Sequence, residues 1–111
     1  MSAFEPFEQF DEVDDIIDRL EDPDPGTRRV AIMDLADSAD PAAVAHLKKA
    51  LADDAREVRL QIALALGEFD GPETAEALLI ALTDADTGVA QAAADSMAEL
   101  KDPASADPIL P

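Results

Sequence analysis

The 111-residue chain is strongly acidic, with 26 Asp and Glu residues against eight Lys and Arg and a formal net charge of −18. This charge repels nucleic-acid phosphates and anionic membrane surfaces, so we expect neither nucleic acid nor a membrane as a partner. Because the chain has no Cys, it can form neither a disulfide nor a thiolate metal site. Apolar residues make up 48% of the chain but aromatic residues only 4%, which favours packed helices with a core of Ala, Leu, Ile and Val.

The N-terminal stretch MSAFEPFEQFDE lacks the basic and apolar segments of a signal peptide. Nowhere does the chain contain the run of about 18 apolar residues that a membrane helix needs. We therefore expect a cytoplasmic protein. Two interpretations of the charge stay open: an ordinary acidic helical protein, or one adapted to high salt, in which ions screen the self-repulsion.

The sequence repeats without gaps at a period of 31 residues. Three repeats span residues 14–44, 45–75 and 76–106, with an extension at 4–13 before them and a stub of a fourth repeat at 107–111. Aligned positions hold Leu20, Leu51, Leu82, Pro41, Pro72 and Pro103. Each repeat contains two apolar segments joined by an Asp-rich corner, which predicts an all-α, right-handed solenoid of three helix pairs in a single domain.

Proline and acidic residues predict where the helices begin. Pro41 and Pro72 are expected at the first position of first helices, where a missing N–H leaves no bond unmade. Asp24 is expected to cap the second helix of the first repeat, and Asp54 with Glu57 has the spacing of a capping box in the next. Within the second helices, the predicted inward stripe comprises Thr27, Ala31, Leu35, Val58, Ile62, Leu66, Val89, Ala93 and Met97.

The two ends of the repeat array leave alternatives open. Phe7 and Phe10 in the extension continue the helical stripe of Ile17. We interpret the extension as an N-terminal cap on the stack, with partner docking as the alternative. At the other end, either the stub around Ile109 caps the stack, or the last repeat exposes an apolar end that permits self-association.

The stretch LADDAREVRLQIALALGEFDGPE contains a Leu, an Asp corner, Val-Arg, an Ala- and Leu-rich helix, Gly and Pro, in that order. It resembles the HEAT-like repeats, in the short form named after the phycobilisome lyases, and the resemblance covers residues 14–106. Such repeats serve in many proteins as interaction scaffolds, so the resemblance implies a non-catalytic protein-binding module. It also implies an alternative, an accessory subunit or chaperone of a cofactor-loading or lyase-type enzyme assembly.

The resemblance further implies two structural arginines. In that family an Arg near the start of the second helix lies at a repeat junction and pairs with a corner Asp, which here implies Arg28 and Arg59. The third repeat departs from this pattern with Ala90. Candidate acidic partners are Asp22, Asp53 and Asp84.

No pattern in the sequence predicts catalysis, and we expect no cofactor. The only histidine, His46, has no Cys or second His to complete a metal set. It is followed by Leu47, whereas the deoxyhypusine hydroxylases, which resemble this repeat fold, hold iron with His-Glu pairs. The acidic residues between 11 and 18 have helical spacing and indicate a solvated face. The DADTG stretch at 84–88 lacks the Gly and Glu positions of a calcium loop and indicates a helix–helix corner.

A partner protein is expected on the outer side of the second helices. Apolar residues there have polar neighbours, including Asp37 and Glu68, as in protein interfaces. The candidate partner-binding residues are Arg29, Val30, Met33, Leu60, Gln61, Leu64, Gln91 and Asp95. Three uses of the apolar side chains stay open: a different protein, self-association or internal packing. Because the chain is so acidic, we expect a partner with a basic surface.

Overall fold

The computed structural model describes residues 14–100, which are helical with no strand among them. Residues 14–19 form the described part of α1. The helices that follow are α2 (Pro25–Ser38), α3 (Ala43–Ala50), α4 (Arg56–Leu66), α5 (Pro72–Leu82) and α6 (Thr87–Ala98). The predicted all-α solenoid is confirmed. The extension at 4–13 and the stub at 107–111 lie outside the described residues.

The helices are arranged in two layers. Along one layer α2 packs against α4 and α4 against α6, and in the other layer α3 packs against α5. The three second helices begin at residues 25, 56 and 87, which reproduces the 31-residue period. The predicted repeat boundaries after residues 44 and 75 instead fall inside α3 and α5. The structural unit is therefore a helix pair that begins a few residues before each predicted boundary.

The core lies between the two layers. The predicted inward stripe is confirmed in its central part, where the buried members are Ala31, Leu35, Val58, Ile62, Leu66, Val89 and Ala93. Leu47 and Leu78 of the first helices are also fully buried. Each such Leu or Ile contributes about 1.5–3 kcal/mol by leaving water. The outer members of the stripe, Thr27 and Met97, are only partly buried.

Two of the predicted helix starts are confirmed. Asp24 accepts a hydrogen bond of 3.1 Å from the Thr27 N–H, and Pro25 is the first residue of α2. Pro72 is likewise the first residue of α5, after Gly71. Gly71 has a φ of 106°, a conformation that L side chains rarely adopt, so the residue type follows from the turn.

Two other predicted starts are wrong, because local turns compete with the helix. α3 begins at Ala43 and not at Pro41, since Asp40 Oδ1 accepts a bond of 3.0 Å from the Ala42 N–H and holds a turn there. The predicted capping box of α4 does not form either. The carboxylate of Asp53 accepts the Ala55 N–H at 2.9 Å, whereas Asp54 is almost fully exposed.

Helices α4 and α6 approach closely near Gly67. The buried Ser96 Oγ donates a hydrogen bond of 2.7 Å to the Ala63 carbonyl, linking the two helices. A Cβ atom at position 67 would lie 2.9 Å from that Oγ, closer than van der Waals contact permits. Glycine at this position therefore allows the second-helix layer to pack as it does. Within the described range no helix has the length and apolar character that a membrane crossing requires.

Candidate functional site

Arginine–aspartate pairs join successive helix pairs on the side of the Asp-rich corners. Arg28 Nε donates to Asp53 Oδ2 at 2.8 Å, and its Nη2 donates to Oδ1 at 3.0 Å. The Nη1 of the same guanidinium donates to the Asp22 carbonyl at 2.7 Å. One arginine thus ties the corner of its own helix pair to the corner of the next. Asp22 takes part through its backbone oxygen and not through its carboxylate.

The same geometry recurs one repeat later. Arg59 Nε donates to Asp84 Oδ2 at 2.7 Å, and its Nη1 donates to the Asp53 carbonyl at 2.9 Å. A further pair, Arg56 Nε with Asp86 Oδ2 at 2.6 Å, is not evident from the sequence. Its two residues are 30 and not 31 positions apart, so they occupy different columns of the repeat alignment.

These ion pairs lower the pKa of the aspartates. Burial raises the pKa of Asp84, but hydrogen bonds from Arg59 and from the Asp86 N–H outweigh burial, so that the net pKa lies below its ordinary value. The same balance lowers the pKa of Asp53. At Asp86 the bond from Arg56 lowers the pKa by more than burial raises it. These carboxylates are therefore more acidic in the folded than in the unfolded chain.

We expect the stabilisation by the Asp84 carboxylate to be lost at acid pH. A depressed folded-state pKa contributes stability that is fully present above the unfolded pKa, about 3.9, and disappears as pH falls through the folded value. Many other carboxylates titrate in this range, so the wild type is best compared with Asp84→Asn. The difference in unfolding free energy between the two, from urea titrations at pH values from neutral to well below the unfolded pKa, should shrink below about pH 4. A difference that is constant over that interval would argue against a charged Asp84 as the source.

The outer face of the second helices contains the predicted partner-binding residues. Met33 of α2 and Leu64 of α4 are 42% and 49% exposed and occupy the same position in successive repeats. They line a shallow cleft of about 270 Å³ between the two helices, with Asp37 and Glu68 among its other lining residues. The cleft therefore combines apolar and acidic side chains.

Among the remaining predicted residues, Gln61 also lines this cleft and the others do not. Leu60 differs from the prediction, because it is partly buried and packs against the core, so that internal packing accounts for it. Val30 is exposed but does not line the cleft. On α6 the exposed Gln91 donates to Asp95 Oδ1 at 3.2 Å, so the third repeat offers polar groups. The other two predicted residues are the exposed Arg29 and the partly buried Gln61.

The exposure of two further apolar side chains, on a first helix, is not evident from the sequence. Leu79 and Ile80 on α5 are 56% and 48% exposed. One sequence signal could have predicted this exposure. The two residues align with Lys48 and Lys49 of the preceding repeat, and charged residues at equivalent positions indicate an outward face. They lie on a first helix, away from the α2–α4 cleft, and so provide a matched control for it.

The side chains that could hold a metal ion are His, Asp and Glu, since the chain has no Cys. No group of three or more His, Asp or Glu side chains between residues 14 and 100 is placed to hold a metal ion. His46 is partly buried and lines a cleft of about 270 Å³ together with Ile17 and Lys49. The DADTG stretch forms the corner before α6, where Asp86 Oδ1 accepts the Gly88 N–H at 2.8 Å.

Comparison with known proteins agrees with this architecture. A family model of HEAT repeats matches residues 13–98 and, in a second overlapping match, residues 56–111. This match does not single out the short phycobilisome-lyase form. A search of curated proteins gives no match. HEAT repeats are generally protein-interaction scaffolds and are typically non-catalytic. Since the matched residues span most of its length, the chain belongs to the HEAT repeat family.

Proposed function

We propose that the chain is a non-catalytic scaffold that binds a partner protein across its second helices, at the cleft between α2 and α4. The observation that carries this proposal is the pair of exposed apolar side chains, Met33 and Leu64, which line one cleft together with the acidic Asp37 and Glu68. An apolar centre with a polar rim is the usual anatomy of a protein interface. Contiguous exposed apolar surface on a soluble protein often marks such a contact.

The two apolar side chains are anchors and not the whole interface. Full burial of a Met or Leu side chain contributes about 1.5–3 kcal/mol. Roughly half of each is already covered, so together they supply about 1.5–3 kcal/mol before association costs. A micromolar complex needs about 8 kcal/mol. The partner must therefore also use the polar rim.

The charges of that rim favour a basic partner. Seven Lys and Arg residues lie between 14 and 100, and five of them form ion pairs with Asp or Glu: Arg19, Arg28, Lys48, Arg56 and Arg59. Within the same range, Asp37 and Glu68 form no ion pair. Their carboxylates are free to attract cationic side chains of another protein and to speed its association.

The double variant Met33→Ser/Leu64→Ser tests the proposal, with Leu79→Ser/Ile80→Ser as its matched control. Both remove two half-exposed apolar side chains, but from different layers. We expect proteins captured by the tagged wild type from native lysate to be captured equally by the control. The cleft variant should capture them at least tenfold less, because the loss of about 1.4 kcal/mol changes an affinity tenfold.

The comparison requires that both variants remain folded, which thermal melts establish. If the cleft variant melts far below the wild type, a second variant, Asp37→Lys/Glu68→Lys, takes its place. It reverses two charges at exposed positions and should abolish capture of the same proteins. Equal capture by the folded cleft variant, or loss in the control alone, would refute binding at this cleft.

A further inference from the structure

Exposed side chains of the second helices form two parallel rows, each with one member per repeat. The inner row consists of Met33, Leu64 and Asp95. The acidic row consists of Asp37, Glu68 and Glu99, each four residues after its counterpart in the inner row. Because α2, α4 and α6 lie side by side, both rows run along the stack and across the helices.

The spacing of the rows suits a helical partner. Axes of packed helices are about 8–10 Å apart, so successive members of a row repeat at about this distance. Side chains seven residues apart on an α-helix share a face and are about 10.5 Å apart. Side chains on one face of an extended strand are separated by about 6.6 or 13 Å. Two helical turns therefore match one repeat, and an extended segment does not.

The acidic row lies where negative charge is unfavourable for the fold itself. Asp37 is in the last turn of α2, Glu68 follows the end of α4, and Glu99 is the C-cap of α6. Helix C-termini carry partial negative charge, and none of these three helices has a basic residue in its last turn. The corner aspartates Asp53 and Asp84, in contrast, are neutralised by arginines. As far as residues 14–100 show, the acidic row thus presents carboxylates without an ion-pair partner along a single edge.

We infer that the partner binds through a basic amphipathic α-helix lying along the stack, an inference that rests on the proposed function. Two apolar residues of that helix, about seven positions apart, contact Met33 and Leu64. Its Lys or Arg side chains pair with the acidic row. The position on the partner helix that is a further seven residues along faces Asp95 of the inner row, so we expect a basic residue there.

Synthetic peptides of about 20 residues serve as probes. A peptide helix of this length has about six turns, which is two turns for each of the three second helices that it crosses. The first peptide has two Leu residues about seven apart, an Arg about seven further on, and Lys along one flank. The second has the same composition with the Leu residues on opposite faces, and the third has a central Pro. Fluorescence anisotropy should show at least tenfold tighter binding of the first peptide, weakening between about 0.05 and about 0.5 M NaCl.

Charge-neutral variants separate the acidic row from the overall charge of the chain. Asp37→Asn/Glu68→Gln/Glu99→Gln should weaken binding of the first peptide by at least tenfold. Asp14→Asn/Asp18→Asn/Glu73→Gln removes the same net charge from exposed positions on first helices and should change it by less than threefold. Equal affinity for all three peptides, equal effects of both variants, or no binding would overturn the inference. The proposed function would survive those results if lysate capture still depended on Met33 and Leu64.

Discussion

Replacing Leu66 by Ala is expected to lower the free energy of unfolding by about 2–5 kcal/mol, whereas Leu64→Ala should change it by less than about 1 kcal/mol. Both residues lie in α4, two positions apart. Leu66 is completely buried between the helix layers, but Leu64 is half exposed. Removing the Leu66 side chain leaves a cavity in the core, and removing that of Leu64 only reduces the outer surface.

Urea unfolding followed by circular dichroism measures both changes, and each variant serves as the control for the other. The residue type and the helix are the same in the pair, so a large difference between the two losses reports burial. Equal losses would mean that Leu64 belongs to the core, and the proposed binding surface would then lose one of its two anchors. With the expected difference, Leu64 is available to a partner without being needed for folding.

The second large effect on stability is expected from the arginines at the repeat junctions, Arg28 and Arg59. Arg59→Met should lower the free energy of unfolding by about 1–3 kcal/mol, because it keeps the apolar stem but leaves the nearly buried Asp84 carboxylate and the Asp53 carbonyl without this donor. The measurement is again urea unfolding at neutral pH. Adding Asp84→Asn should restore part of the loss, since an uncharged side chain is less costly to leave unpaired.

Arg29→Met is the matched control for the junction. Arg29 is exposed and forms no ion pair with any residue between 14 and 100, so its replacement should change stability by less than about 0.5 kcal/mol. If Arg59→Met were equally harmless, the ion pairs would not hold the repeats together. The core between the layers would then account for the solenoid alone.

The fold is largely predictable because one signal repeats. The 31-residue period and the inward stripe predict the second helices, whose buried faces need only apolar residues at helical spacing. Helix starts are less predictable, since short polar side chains offer the backbone alternative bonds. Asp40 holds a turn at Ala42, and Asp22 uses its carboxylate to accept the Asp24 N–H at 2.8 Å. Asp22 therefore accepts the hydrogen bond from Arg28 through its carbonyl oxygen, and its carboxylate acts on that arginine only through its charge.

The candidate surface is predictable only in part. Helical periodicity places Met33 and Leu64 away from the core, where the structure also has them. It does not determine how far a neighbouring helix covers a flank, and this cover makes Leu60 partly buried. The equivalents of Ile80, Asp18 and Lys49, indicate an outward face, but an apolar residue in one repeat only does not form an apolar column that would predict a binding surface. The identity of a partner is not encoded in any of these local signals.

Site-specific photo-crosslinking tests the central claim most directly. A photoreactive amino acid replaces Leu64 in one protein and Leu79 in another, and both are irradiated in native lysate. Binding at the α2–α4 cleft predicts a crosslinked partner from position 64 that is lost on adding Met33→Ser and is absent from position 79. The same adduct from both positions, or an adduct from position 79 alone, would contradict a binding surface on the second helices.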